Sequence, residues 1–261
     1  FFYDFNKILM NLSISALTIL IILFFLMSII GVVTGSNSLV TVPVMFQFGI
    51  EPKVAIATNM FGLTFMSIGA SIPFFKQGFF DSKTLSPLLI LTVIGSILGA
   101  LLVGIITNQN LKLIVSISMI GVTLFTIFRR NVGLEKKDNI STKATTLVFV
   151  LTFLLGIYGG LFSGGYVTML TAVYVAFFGM TFTEAVASTK LINVFSSLVA
   201  SAVFAWQGLI DYKLGLILAV TMFIGAYIGA KTVTKLNDLW LKRIFLTTVL
   251  ILAIKTIYDF L

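Results

Sequence analysis

Long apolar runs dominate the chain and restrict what it can fold into. About ten such runs follow one another with short polar turns between them, and most approach the roughly 20 residues that one helical crossing of a bilayer needs. Backbone polar groups in lipid must be satisfied within the segment, which favours helices. Only 10% of the 261 residues are charged, against about 25% in a soluble domain. The sequence therefore predicts an all-α integral membrane protein, and it excludes a water-soluble enzyme, a nucleic-acid-binding domain and a disordered chain.

The apolar runs form two series of five, separated by the one long polar stretch. We expect a first transmembrane repeat over residues 1–130, a cytoplasmic linker over 131–143 and a second transmembrane repeat over 144–261. The predicted segments are 12–33, 39–49, 54–75, 84–106 and 111–128 in the first half, and 144–162, 166–179, 184–205, 212–233 and 241–261 in the second.

The second series repeats the first. Residues 31–131 align without gaps on residues 161–261, and about a quarter of the aligned positions are identical, including turn signals such as Gln77-Gly78 and Gln207-Gly208. Internal repeats of this kind are typical of secondary-transporter folds. An old duplication without mechanistic meaning is the alternative.

The charges predict how the two repeats are oriented. The chain has 17 Lys+Arg against 9 Asp+Glu, a net charge of +8, and positive loops favour the cytoplasmic side. With the 129–143 stretch inside, an inverted arrangement also places the basic 76–83 and 231–243 segments inside. A parallel arrangement would place the 231–243 segment outside. The sequence therefore predicts two inverted repeats in a protein that crosses the cytoplasmic (inner) membrane many times.

A break in the apolar pattern precedes the short second segment of each repeat. As helices, these segments would be shorter than the roughly 30 Å hydrocarbon core, so we expect broken or re-entrant segments near the midplane. Short, glycine-interrupted segments at matching places in two halves point to a transporter binding site, and free N–H groups at a helix start suit an anion. The predicted substrate-binding residues of the breaks are Gly35, Ser36, Asn37, Ser38, Ser163, Gly164, Gly165 and Tyr166. Ordinary turns, or small residues for helix packing, are the alternative.

A second polar feature opens the next segment of each repeat. Its predicted substrate-binding residues are Thr58, Asn59, Thr189, Lys190 and Asn193. A membrane-embedded lysine is costly and by default indicates function, here the charge partner of an anion. The alternatives are that Lys190 extends to the interface or pairs with Glu184.

Several other residues are predicted to have structural roles. Asp81 and Asp211 are predicted N-caps, Glu184 suits a helix start, and the glycines at 95, 99, 225 and 229 have the spacing of close helix packing. The chain has no cysteine and no histidine, and no carboxylate falls in the centre of a run. We therefore expect neither a metal nor a cofactor, and no nucleic-acid partner.

The ordered motifs resemble a known family. They are Gly31 to Gly49 with Pro43, then Ala55-Ile56-Ala57-Thr58-Asn59, and in the second half Gly156 to Gly179 followed by Ala185-Val186-Ala187-Ser188-Thr189-Lys190. Their order, spacing and duplication resemble the TauE/SafE family of sulfite exporters, also called the toluenesulfonate uptake permease group. The resemblance implies transport of sulfite, organosulfonates or related sulfur-containing acids. The break at Gly35-Ser36-Asn37-Ser38 departs from the glycine run that the family often has there.

These observations lead to one functional prediction and several alternatives. The prediction is a secondary transporter of a small anion, not an enzyme, in which the two repeats rock to expose the site alternately. A membrane subunit or assembly factor that transports nothing alone is the first alternative, and a membrane enzyme is another. A channel and a homodimer also remain open.

Overall fold

The computed structural model describes residues 13–35, 37–76, 82–128 and 141–233, together with positions 235, 240 and 243. All the elements assigned within these ranges are α-helices. They are α1 (Ile14–Thr34), α2 (Ser38–Gln47), α3 (Pro52–Lys76), α4 (Ser82–Ile105), α5 (Asn108–Phe128), α6 (Thr142–Leu161), α7 (Tyr166–Phe177), α8 (Phe182–Trp206) and α9 (Tyr212–Val233). The predicted all-α class is confirmed, and the predicted segments agree with these helices to within a few residues. The predicted 241–261 segment and most of the predicted linker lie outside the described residues.

Six of the helices are long and apolar enough to cross a bilayer: α1, α3, α4, α6, α8 and α9. Many of their large apolar side chains are exposed, among them Ile22, Ile90, Leu154, Leu198 and Val220. Exposed apolar surface on this scale suits contact with lipid rather than with water. The chain is therefore a multi-pass membrane protein.

Two helices are too short to span the membrane. α2 has 10 residues and α7 has 12, which correspond to lengths of about 15 Å and 18 Å. Each follows a break in the chain, after α1 and after α6 respectively. The sequence predicts both short segments, and the structure has both.

The two halves are interlaced rather than side by side. α1 packs on α9, and α4 packs on α6, while α3 contacts both α8 and α9 and α4 contacts α8. At the offset of the sequence repeat, α1 corresponds to α6 and α4 to α9. The α1–α9 and α4–α6 contacts are therefore the same contact with the halves exchanged. How the halves are oriented relative to the membrane stays a prediction.

Glycines make these two contacts close. A Cβ built on Gly95 would lie 2.7 Å from the Phe153 carbonyl oxygen of α6, and one built on Gly225 would lie 2.7 Å from the Phe25 carbonyl oxygen of α1. Neither position can accept a larger side chain without moving a backbone. The predicted packing role of these glycines is confirmed.

Two predicted helix-start residues also have the expected partners. The Asp211 carboxylate accepts the Leu214 N–H at 3.1 Å, and Glu184 forms a capping box with Thr181 at the start of α8. These contacts fix where α8 and α9 begin. The predicted cap at Asp81 lies outside the described residues.

Candidate functional site

The first break ends α1 and brings it against the second half. Gly35 caps α1 in the left-handed conformation, with φ of 66°, and its N–H bonds to the Gly31 carbonyl oxygen. A Cβ on Gly35 would lie 2.8 Å from the backbone nitrogen of Thr168 in α7. The Thr168 hydroxyl in turn donates to the Thr34 carbonyl oxygen at 2.6 Å. The end of α1 and the start of α7 are thus in direct contact.

The second break is built in a similar way. Gly165 precedes α7 in the left-handed conformation, with φ of 78°. The Ser163 hydroxyl lies 2.7 Å from the hydroxyl of Ser38, the first residue of α2. The start of α2 therefore contacts the second break, and the first break contacts the start of α7. Neither helix has a side-chain cap on its first N–H groups, so both present positive dipole ends to this region.

A small cavity with a volume of about 10 Å³, close to the least that holds one water molecule, lies where the breaks meet. We call it the central cavity. It is lined by Gly31, Gly35, Asn37, Ser38, Leu63, Met66, Ser67, Ser163, Val167, Lys190 and Asn193. Six of these residues are predicted site residues, drawn from both breaks and from α8. Among the described lining residues Lys190 is the only charged one.

Lys190 is buried on α8, with 3% of its surface exposed. Its ammonium donates to the Gly31 carbonyl oxygen of α1 at 2.7 Å. The side chain therefore turns inward to the first break and does not extend toward the membrane interface. Glu184, the alternative partner considered from the sequence, accepts the Thr181 N–H at 2.9 Å in the capping box.

Hydroxyls and amides surround the ammonium. The Asn193 amide of α8 donates to the Ser67 hydroxyl of α3 at 2.6 Å. The Asn37 amide nitrogen donates to the Met66 sulfur at 3.2 Å, and the Asn37 Oδ1 atom is buried without a hydrogen-bond partner. A buried polar atom without a partner is uncommon and indicates a place where a ligand or water completes the site.

Asn59 lies behind the cavity lining and supports it. Its amide nitrogen donates to the Ser38 hydroxyl at 2.8 Å, and its Oδ1 atom accepts from the Thr41 hydroxyl at 2.9 Å. In the second half the equivalent contact joins Thr171 and Thr189, whose hydroxyl oxygens lie 3.3 Å apart. Asn59 and Thr189 thus hold the short helices α2 and α7 against α3 and α8.

The remaining predicted residues lie near the site but not in the cavity lining. The Thr58 hydroxyl accepts the Asp211 N–H at 3.0 Å, which fixes the start of α9. The Gly164 carbonyl accepts the Tyr158 hydroxyl. Tyr166 is fully buried, with its hydroxyl beside Thr92 and Ser196. Ser36 lies outside the described residues.

Five lining residues are absent from the sequence-based set: Gly31, Leu63, Met66, Ser67 and Val167. A signal for Ser67 exists in the sequence, since Asn59, Leu63 and Ser67 recur every four residues and share one face of α3. Gly31 contributes a backbone carbonyl, and no residue-type signal marks such a contribution.

Broken helices from two interlaced halves thus meet at a buried cavity that contains a cation. An all-helical, multi-pass membrane protein with this arrangement falls in the class of membrane transporters.

Comparison with known sequences identifies the family within this class. The chain belongs to the sulfite exporter TauE/SafE family, which it matches over residues 20–256. It is 28% identical over 251 residues to a probable membrane transporter protein, ORF9, of a Sinorhizobium species, covering 95% of each chain. It is 26% identical over 250 residues to a probable membrane transporter protein of Haemophilus influenzae, covering 96% of this chain and 98% of the relative. The probable membrane transporter protein YfcA of Escherichia coli K12 is 25% identical over 243 residues, covering 91% of this chain and 89% of the relative.

Proposed function

We propose that this protein is a secondary transporter that carries a small anion across the cytoplasmic membrane, with the central cavity as its substrate site. The main support for the proposal is the position of Lys190. Its ammonium is buried in the cavity, and no carboxylate belongs to the described lining residues. A buried charge is costly unless it is paired, and an anionic substrate would supply the pair.

The surroundings of Lys190 favour an oxyanion over a halide or a neutral solute. The hydroxyls of Ser38, Ser67 and Ser163 lie around the cavity. Ser67 and one member of the hydrogen-bonded Ser38–Ser163 pair can each donate to an anion, since the other member of the pair already donates to its partner. The starts of α2 and α7 add two positive dipole ends. An anion with several oxygens can use these donors at once, because they approach the cavity from different helices.

The family and the apolar lining narrow the substrate class. Leu63, Met66 and Val167 form an apolar part of the lining, which suits a substrate with a charged head and a small apolar remainder. Together with the sulfite exporter family match, this supports sulfite, a sulfonate or a related sulfur-containing acid.

Alternating access provides the route. α1, α2 and α3 of the first half and α7 and α8 of the second all contribute to the cavity, so a movement of one half against the other would change the side to which it opens. With no carboxylate in the described lining, we expect no acid-based proton relay in this cavity.

Flux into liposomes containing the purified protein tests the proposal. Labelled sulfite is the probe, and sulfate, methanesulfonate and acetate are the competitors. We expect saturable uptake that the sulfur anions compete and acetate does not, with a large loss in K190M. Lys112→Met is the matched control, because Lys112 is exposed on α5. Folded protein that moves none of these anions would refute the proposal and favour a membrane subunit that works only with a partner.

A further inference from the structure

We infer that Lys190 carries a proton together with the anion, so that one proton is co-transported with each monovalent anion. The inference rests on the proposed function, since it assigns the coupling ion of the same cavity. It follows from how the ammonium is buried, from what surrounds it and from the absence of a second cation in the described lining.

The ammonium has a weak partner. Its hydrogen-bond acceptor is the Gly31 carbonyl oxygen, which already accepts the Gly35 N–H at 2.9 Å. A carbonyl at the end of a helix attracts a cation but does not neutralise it. The charged form of Lys190 therefore gains most when an anion lies beside it.

No other titratable group lines the cavity within the part of the chain that the structure describes. The residues of α1, α2, α3, α7 and the two breaks that line the cavity with Lys190 are glycine, asparagine, serine, leucine, methionine and valine. The hydroxyls of Tyr166 and Tyr174 on α7 lie beside Thr92 and Thr152. A proton taken up in the cavity would therefore reside on Lys190.

The charged groups of the packed helices lie at the helix ends. On α8, Glu184 belongs to the N-terminal capping box, and on α3 the Lys53 ammonium donates to the Gly104 carbonyl oxygen at 2.8 Å. Lys76 is the last residue of α3 and Lys143 lies in the first turn of α6. None of these groups belongs to the cavity lining.

Binding of the anion and protonation of Lys190 then favour each other. The free amine, a proton and the anion combine to an ammonium–anion pair, with no covalent bond made or broken other than the N–H bond of the added proton. Because the linkage is reciprocal, the anion tightens the hold on the proton by the same factor as the proton tightens the hold on the anion. The cavity carries no net charge from Lys190 and the anion either when it holds the ammonium–anion pair or when it is empty with a free amine. In both states the protein can therefore change the side to which the cavity opens without moving a charge through the membrane interior.

The repeat gives the stoichiometry. The residue equivalent to Lys190 in the first half is Met60, which is buried and apolar. Only one half therefore supplies a cation to the described lining of the cavity. One lysine can carry one proton, which balances one monovalent anion.

Methanesulfonate is the probe for the test, because its own charge does not change near neutral pH. Wild-type proteoliposomes with a pH-sensitive dye inside receive an inward methanesulfonate gradient, and current is recorded in parallel on a supported membrane. We expect the lumen to acidify by one proton for each anion taken up, with no net current. If sulfite enters and methanesulfonate does not, the current decides, recorded at a mildly acidic pH at which sulfite is the monovalent hydrogensulfite.

Two variants test whether Lys190 is the residue that couples proton movement to anion transport. K190R retains a permanent positive charge, so we expect anion flux that produces current and does not acidify the lumen. K190M should lose flux, and Lys112→Met should behave as wild type. Wild-type flux that carries current without acidification would overturn the proton coupling and leave anion transport standing. Absence of flux for every sulfur anion would overturn both.

Discussion

The ammonium of Lys190 and the carbonyl oxygen of Gly31, 159 residues apart in the chain, are joined by a hydrogen bond of 2.7 Å. The contact ties α8 of the second half to the last turn of α1 in the first half. Gly31 lies four residues before Gly35, where α1 ends, so the cation is held at the negative end of that helix. An anion bound by Lys190 would therefore act directly on the junction between the two halves.

K190M should separate ligand binding from stability. Replacing a buried lysine that has no ionic partner in the described lining by an apolar side chain of similar length is often neutral or stabilising. We expect the midpoint of thermal unfolding of K190M in detergent to equal or exceed that of the wild type. Sulfite should raise this midpoint in the wild type but not in K190M. A large fall in the midpoint without sulfite would show that the Lys190–Gly31 contact serves mainly to hold the fold together.

The Ser38–Ser163 hydrogen bond should couple the two breaks. Both side chains are buried, and removal of the Ser163 hydroxyl should cost about 0.5–1.5 kcal/mol. Removal of the Ser38 hydroxyl should cost more, because that hydroxyl also accepts the Asn59 amide. Because the two residues share one bond, S38A and S163A combined should cost less than the sum of the single changes. Unfolding of the two single variants and the double variant measures this coupling, and strict additivity would contradict it.

Gly35→Ala should damage the site through close contact as well as through backbone strain. A left-handed alanine costs about 1–2 kcal/mol, and its Cβ would also lie 2.8 Å from Val167. Gly208→Ala is the matched control, since Gly208 has φ of 68° and a Cβ placed there would meet nothing within 4 Å. We expect anion flux to fall severely in G35A and little in G208A. Equal losses in the two variants would show that backbone strain alone is responsible.

Gly99→Ala should weaken the α4–α6 contact. A Cβ at this position would overlap the Ile157 carbonyl oxygen, and overpacking of this kind costs about 1–3 kcal/mol. At Gly121 in α5 a Cβ meets nothing within 4 Å, so G121A should be neutral or stabilising by up to about 1 kcal/mol. The changes in the free energy of unfolding that the two variants cause, relative to wild type, should therefore differ in sign or by several-fold. A G99A variant as stable as G121A would contradict the close packing.

Much of the fold could be predicted from the sequence because its signals are local. Length and hydropathy locate the helices, and the predicted 212–233 segment coincides with α9. Glycine marks the breaks at Gly35 and Gly165 because both positions need a positive φ. A lysine inside an apolar run stands out by its cost alone, so Lys190 could be singled out without a structure.

The partners in the site could not be predicted, because they depend on packing between the halves. Nothing distinguishes the Gly31 carbonyl in the sequence from any other carbonyl, yet it holds the ammonium. Thr58 and Asn59 are neighbours on α3, but their side chains point in different directions, one to the start of α9 and the other to Ser38. Residue type and depth do not resolve such a difference, since it depends on the rotation of α3 against its neighbours.

The position of the bound anion in a crystal decides whether the central cavity is the substrate site. Selenite resembles sulfite, and its selenium atom gives an anomalous signal that identifies it in a crystal of the protein. We expect one strong peak in the central cavity, with its oxygens within hydrogen-bonding distance of the Lys190 ammonium and of the Ser38 or Ser163 hydroxyl, and no such peak in K190M. A peak elsewhere in the wild type, in protein shown to transport sulfite, would contradict the assignment of this cavity as the substrate site.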